Sequence, residues 1–393
     1  MDPRINPYAP GAGAPPPELA GRDQVIEAAS IALDRMRNGL VARSLMLVGL
    51  RGVGKTVLLN RLHNDAEASG FATVVLEAPE QRSLPALLVP SMRAVLLKLD
   101  RMAAGGDLAK RALRALGGFV QAMKLKYGDI EFGLDLGLEP GVADTGDLDA
   151  DLISLFQVVG EAARERKTVL VLFVDELQYV PEPQLAALIT ALHRCAQLQL
   201  PVTMIGAGLP QLLGQMGRAK SYAERLFEFT PIGKLPDAAA RQALAAPAQR
   251  AGVLYEEAAL HEILRQTEGY PYFLQEWGKH SWTCAQQSPI TLADVHAATD
   301  QALAELDASF FRVRLDRLTP SEKRYLRAMA ELGPGPHRSG DIAHTLGREV
   351  ATVAPTRAKL IDKGMVFSPA HGDTGFTVPL FDAYMRRVMP DWP

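Results

Sequence analysis

Cysteine is nearly absent: the 393-residue chain has two, Cys195 and Cys284. Two isolated thiols supply neither a disulfide framework nor a zinc cluster, and they suit a reducing compartment. Charge of one sign is also scarce. Lysine and arginine total 42 against 45 aspartates and glutamates, a net charge of -3. No whole-chain basic field announces nucleic acid, so any such contact has to be local. No apolar run approaches the roughly 18 residues of a membrane-spanning helix, and Met1-Asp2-Pro3-Arg4 lacks a signal-peptide pattern. The expectation is a cytoplasmic protein with no membrane partner. With 48% hydrophobic and 22% charged residues, the composition is globular. The length suits about two or three domains.

What is present begins with Gly49-Leu50-Arg51-Gly52-Val53-Gly54-Lys55-Thr56. This glycine-rich stretch follows the apolar run Leu45-Met46-Leu47-Val48 and precedes a helical pattern from Val57 to Leu62. It is the G-x-x-x-x-G-K-[ST] loop in its strand–loop–helix setting. Gly49, Gly52 and Gly54 let the backbone of the loop, with Val53, wrap until its N–H groups converge on phosphates. The following helix, with Val57 in its first turn, turns its positive dipole end to the same point. Lys55 puts a cation on the β- and γ-phosphates, and the Thr56 hydroxyl is a Mg²⁺ ligand. The cofactors expected are ATP and Mg²⁺.

About 120 residues further on, Thr168-Val169-Leu170-Val171-Leu172-Phe173-Val174 ends in Asp175-Glu176. A continuous apolar run of this length reads as a strand buried on both faces of a parallel sheet. Ligands sit at the carboxyl ends of such strands. Asp175 is there to hold Mg²⁺, and Glu176 to polarise the attacking water as general base.

The remaining chain sorts around these two signals. Residues 1–20 carry six prolines and read as an extended arm, either laid against the nucleotide-binding domain or loose. Asp23 is the candidate N-cap of a helix with apolar positions at Val25, Ala28, Ile31, Leu33 and Met36. A strand over Phe71–Leu76 completes a βαβ unit. Ile130–Leu138 alternates with period two, which predicts a β-hairpin inserted at about 127–138. Past 232 the strand signals stop. Helices run to about 308, with capping-box patterns at Thr291-Leu292-Ala293-Asp294 and Thr319-Pro320-Ser321-Glu322. Three helices over 321–363, with Pro355 in the first turn of the third, then lead to a hairpin around Pro369–Thr374. That order predicts a winged helix.

These motifs resemble the AAA+ ATPases of the origin-recognition and archaeal-initiator type, and the neighbouring STAND signalling ATPases. More closely, the chain resembles a bacterial group of stand-alone ATP-binding proteins with Asn-Pro-Tyr-x-Pro-Gly before a Gly-Arg-Asp box, here Asn6–Gly11 and Gly21–Asp23, and a terminal winged helix. The resemblance spans nearly the whole chain. It implies an α/β P-loop NTPase with a parallel-sheet core over 21–232, a helical lid over 233–308 and a winged-helix domain over 309–393. It also implies that Arg22 lies near the adenine or ribose and that Pro271, in Gly269-Tyr270-Pro271-Tyr272-Phe273, closes the base pocket. Arg225 matches the region of an arginine finger offered to a neighbouring subunit; its plainer reading is an intramolecular salt bridge. Two departures from the family point to slow hydrolysis. The sensor position reads Gly206-Ala207-Gly208, without Asn, Ser or Thr, and the lid motif lacks a second-sensor arginine.

Two functions stand open at this point. In the first, an ATP-dependent switch binds double-stranded DNA through the winged helix, with Arg348, Arg357, Lys359 and Lys363 as candidate contacts. In the second, a STAND-like ATPase uses the winged helix as a clamp on its nucleotide and assembles with itself or a protein partner. Acidic residues that nearly cancel the module's charge count against the first, and the lack of superhelical sensor repeats or a fused effector after the winged helix counts against the second; the DNA-binding switch is the leading expectation.

Overall fold

The computed structural model describes residues 1–11, 13–78, 82–101, 107–124, 139–370 and 372–391. Contacts divide the chain into two units: Arg22–Val48 with Lys55–Pro231, and Met1–Gly21 with Gly49–Gly54 and Ile232–Pro393.

The first unit is built on five strands, β1 (Ser44–Val48), β2 (Ala72–Glu77), β3 (Leu170–Asp175), β4 (Val202–Gly208) and β5 (Phe227–Pro231). They pair in the order β2-β3-β4-β1-β5, every pair parallel. Parallel neighbours need crossover connections, and helices supply them. After α1 (Asp23–Arg37), which precedes β1, these are α2 (Lys55–Ala68), α3 (Leu84–Arg101), α4 (Asp107–Ala122), α5 (Leu148–Glu165), α6 (Glu182–Gln197), α7 (Leu212–Ala219) and α8 (Ala223–Leu226). Every residue of β1, β3 and β4 is buried, whereas β2 at the edge alternates. Continuous apolar runs therefore mark the inner strands, as the buried-strand rule requires. Helix α1 starts at Asp23, so Arg22 and not Asp23 is the capping residue. Its buried side is Ala29 and Leu33, while Ile31 is 53% exposed. Positions four apart share a helix face, and a step of two points nearly the opposite way. The hairpin expected at about 127–138 lies outside the described residues.

The second unit contains α9 (Asp237–Arg250), α10 (Glu257–Thr267), α11 (Pro271–Cys284) and α12 (Leu292–Glu305), then a π-helical stretch and α13 (Arg312–Asp316). Both predicted capping boxes form, Thr291 with Asp294 and Thr319 with Glu322. The second opens α14 (Pro320–Glu331), followed by β6 (His337–Arg338), α15 (Ser339–Thr345), α16 (Val350–Asp362), β7 (Val366–Phe367), β8 (Asp373–Phe376) and α17 (Phe381–Val388). Strand β8 lies between β6 and β7, antiparallel to both. A two-residue strand such as β6 is too short to carry a period. Pro355 falls in the second turn of α16, not the first. Its lost hydrogen bond is tolerated because Ala351, whose carbonyl goes without that partner, is exposed to water.

The proline-rich arm is packed, not loose. Tyr8 is 4% exposed. Its ring lies on Gly278 of α11, where an added Cβ would come within 2.7–2.9 Å of ring atoms. Its hydroxyl donates to the Leu244 carbonyl and accepts from the Tyr255 hydroxyl at 3.0 Å. Asn6 Nδ2 donates to the Lys279 carbonyl at 3.0 Å, and Trp282 Nε1 donates to that of Asp2 at 3.0 Å. Prolines that fix φ lower the entropy lost in laying the arm down. Tyr8→Ala empties a filled aromatic site and removes the hydroxyl that donates to the Leu244 carbonyl. It should destabilise the second unit by about 3 kcal/mol, read as an earlier urea midpoint for the fluorescence of Trp277 and Trp282. An unchanged midpoint would show the arm to be a passenger.

Candidate nucleotide site

The sheet order decides which side chains meet in the first unit. Strand β4 lies between β1 and β3. The helix following β1 and the carboxyl end of β3 therefore flank the end of β4. Lys55 and Thr56 open α2, and Asp175 closes β3. The Thr56 hydroxyl donates to Asp175 Oδ2 at 2.6 Å, and the Glu176 N–H donates to Oδ1 at 2.8 Å. Lys55 and Asp175 are each 7% exposed, and the Lys55 ammonium acts on the same carboxylate. Burial nevertheless wins: it pushes the Asp175 carboxyl above its ordinary value, against the pull of Thr56, the Glu176 N–H and Lys55. A hydroxyl and a carboxylate oxygen at hydrogen-bond distance form the hard-oxygen pair that suits Mg²⁺.

Glu176 adjoins this pair with φ at 54°, in the left-handed region. For a residue with a Cβ that conformation costs about 1–2 kcal/mol, and strain of this kind collects at functional sites. The chain then enters a 3-10 turn, Leu177–Tyr179. Arg22 is buried at the start of α1, and that burial lowers its guanidinium pKa. Val57 follows Thr56 on α2, half-buried. Arg225 is exposed on α8, with no ion pair among the described residues, so the intramolecular salt bridge expected for it is not what the fold contains.

The phosphate loop itself, Gly49–Gly54, packs within the second unit. Gly52 and Gly54 take φ of 81° and 88°, conformations open only to glycine without strain. A Cβ on Gly49 would lie 2.0 Å from the Ile232 carbonyl oxygen, and one on Gly52 would meet Tyr270 and Tyr272 at 3.1 and 3.3 Å. The backbone of the loop is held from two places. The Tyr272 N–H donates to the Gly52 carbonyl at 3.2 Å, and the Tyr270 hydroxyl donates to that of Arg51. The Thr377 carbonyl, just past β8, accepts the Arg51 N–H at 3.2 Å. Pro271 is the first residue of α11, between the two tyrosines.

The four candidate groove cations divide evenly. Arg357 donates to Thr374 Oγ1 at 2.7 Å, Ser368 Oγ at 2.9 Å and the Asp373 carbonyl at 2.7 Å, which ties α16 to the hairpin. Lys363 Nζ pairs with Glu322 Oε2 at 2.8 Å. Arg348 and Lys359 are exposed. Elsewhere Glu276, His280 and Glu305 bring three potential ligand atoms within 4.8 Å of one another. Lys279 Nζ already lies 2.8 and 2.9 Å from the two Glu305 oxygens, so that charge is met without a metal.

Residues 18–205 match the family model described as an AAA ATPase domain. The core has the parallel-sheet P-loop fold of the AAA+ ATPases. Residues 308–385 match a second model, described only as a domain of unknown function. No curated protein matches the chain. Among solved structures, a Walker-type ATPase of Pyrococcus abyssi is similar over 94% of this chain and 96% of its own, at 14% identity and a TM-score of 0.60. The ORC1 protein of Aeropyrum pernix in complex with DNA is 15% identical, with a TM-score of 0.46 over 94% of this chain and 93% of its own. The RuvB Holliday junction branch migration motor of Thermotoga maritima is 17% identical, with a TM-score of 0.44 over 95% and 96%. Likeness at these identities is a likeness of fold, and the last two are too distant to bear on anything further.

Among the described residues, no helix is long and apolar enough to cross a membrane. Sequence reasoning passed over Gln178, Tyr270, Tyr272 and Thr377. The position of Gln178, two residues past an acidic pair ending a buried strand, was the available signal for it.

A raised Asp175 pKa means that the folded chain holds this proton more tightly than the unfolded chain does. Ionised Asp175 therefore costs stability above its raised pKa, and the cost disappears as pH falls to the ordinary 3.8. Without divalent ions, Asp175→Asn should raise the thermal midpoint at pH 7, with the gain shrinking towards pH 3.8. A lower midpoint at pH 7 would contradict the assignment.

Proposed function

We propose that the chain is an ATP-binding, slowly hydrolysing ATPase of the cytoplasm that works as a nucleotide-dependent switch. The observation that carries this reading is the convergence of Lys55, Thr56, Asp175 and Glu176 at one end of a parallel sheet. Lys55 offsets charge on the β- and γ-phosphates, and the loop N–H groups orient them. Thr56 and Asp175 would hold Mg²⁺, which would offset the negative charge that develops on the phosphates. Glu176 accepts a proton from the attacking water. Arg22 lies near the adenine or ribose and Pro271 near the base. Arg225, exposed and with no ion pair among the described residues, is offered as a finger to a second copy. Slow turnover follows from β4. A Cβ on Gly206 would lie 2.3 Å from Leu177 Cδ1 and 2.8 Å from Met46 Sδ, so packing keeps a polar sensor side chain off this strand.

In our reading, residues 233–308 are the lid and 309–393 a winged helix used as a clamp. The bonds from the Arg51 N–H to the Thr377 carbonyl and from the Tyr270 hydroxyl to the Arg51 carbonyl favour this use over DNA binding. Arg357 and Lys363, already engaged within the module, leave Arg348 and Lys359 as candidate phosphate contacts there. Affinity for a duplex scales with the number of such contacts.

Lys55→Ala should weaken binding of a fluorescent ATP analogue with Mg²⁺ by roughly 30-fold or more, equivalent to about 2 kcal/mol. A generic labelled duplex should give flat anisotropy with ATP, ADP or neither. Undiminished ATP binding by Lys55→Ala would overturn the nucleotide site. Salt-sensitive duplex binding lost on Arg348→Ala and Lys359→Ala would return the winged helix to DNA.

A further inference from the structure

The end of β4 reads Gly206-Ala207-Gly208 and offers no polar side chain. A Cβ on Gly208 would lie 2.7 Å from Leu212 Cδ2 and 3.0 Å from Gln178 Oε1. The strand does offer a backbone donor just beyond, the Leu209 N–H, which Gln178 Oε1 accepts at 3.0 Å. Gln178 comes from the turn after β3 and is 6% exposed. With its oxygen fixed by Leu209, the amide nitrogen faces Glu176 and donates to Glu176 Oε2. The flipped amide would set oxygen against carboxylate and NH₂ against N–H, so one orientation alone satisfies both ends. The main chain is held as well: the Gln178 carbonyl accepts from Gln215 Nε2 at 3.2 Å.

We propose that Gln178 is a positioning residue for hydrolysis: it aims the Glu176 carboxylate at water and ties that aim to the carboxyl end of β4, replacing a polar side chain on the strand. The inference rests on the ATPase reading above. Glu176 reaches the site from left-handed backbone, and its carboxylate has torsional freedom that only a second contact removes. Holding Oε2 leaves Oε1 for the water. As the water oxygen bonds to the γ-phosphorus, the bond to the β-bridging oxygen breaks. ADP leaves with that electron pair, and the proton passes to Glu176. A buried amide bonded at both ends is preorganised and needs no rearrangement when the water is polarised.

The test compares steady-state ATP turnover and fluorescent ATP-analogue binding in wild type, Gln178→Leu, Glu176→Gln and the double variant, with thermal melts alongside. Gln178→Leu should lower kcat by 10- to 100-fold and leave the dissociation constant within twofold. Added to Glu176→Gln, it should cost nothing more, because it acts through Glu176. If Gln178→Leu fails to fold, Gln178→Glu keeps an acceptor for Leu209 and removes the donor to Glu176; the same loss is expected. Unchanged or faster turnover in the Gln178 variant, or an equal loss in both backgrounds, would overturn the role. Wild type that binds ATP without any turnover would overturn the hydrolytic reading and this one together; wild-type turnover that the Gln178 variants leave unchanged would overturn this one alone.

Discussion

Asp175 is a carboxylate the fold keeps from water, and most of the first unit is arranged around that constraint. At 7% exposure its charge has to be answered locally, by the Thr56 hydroxyl, the Glu176 N–H and Lys55. Those partners are available only because β4 lies between β1 and β3. The intervening strand has to be slim. Gly206 lets Leu177 and Met46 close over β4, and a side chain at that position would collide with both. The acidic site and the bare strand beside it are two results of one packing decision, and Gln178 bridges what the packing leaves open.

The second unit obeys a different constraint, conformational more than electrostatic. Gly52 and Gly54 sit at positive φ, and the loop they form is held chiefly by backbone bonds, to Tyr272 and Thr377. Backbone partners keep their geometry under most substitutions, so the grip belongs to the fold more than to any side chain. Tyr270 adds a side-chain bond: its hydroxyl donates to the Arg51 carbonyl, and burial raises its pKa. The arm contributes indirectly: Tyr8 on Gly278 braces α11, the helix that begins between the two loop-binding tyrosines.

What the sequence made legible was what depends on local chemistry. The phosphate loop, the buried run ending at Asp175, and both capping boxes are short-range signals with one physical reading each. Partners met across long separations were not legible. Arg357 reads as a basic residue on a recognition helix, yet Thr374, Ser368 and Asp373 claim it through contacts that spacing does not encode. Proline in the arm signals extension and says nothing of what lies beside it, which left a packed and a loose arm equally open; Tyr8 needed Gly278, hundreds of positions away. Gln178 was marked only by its place two residues past the acidic pair; its bond to the Leu209 N–H, just beyond β4, is not encoded in that spacing.

A switch requires that nucleotide and the grip on the phosphate loop compete or cooperate, and amide hydrogen exchange reads this residue by residue. ATP with Mg²⁺ should slow exchange over 49–57 and change it over 365–378, where Thr377 meets Arg51, relative to ADP and to the nucleotide-free chain. Slower exchange confined to 49–57, with 365–378 identical in all three states, would contradict the clamp.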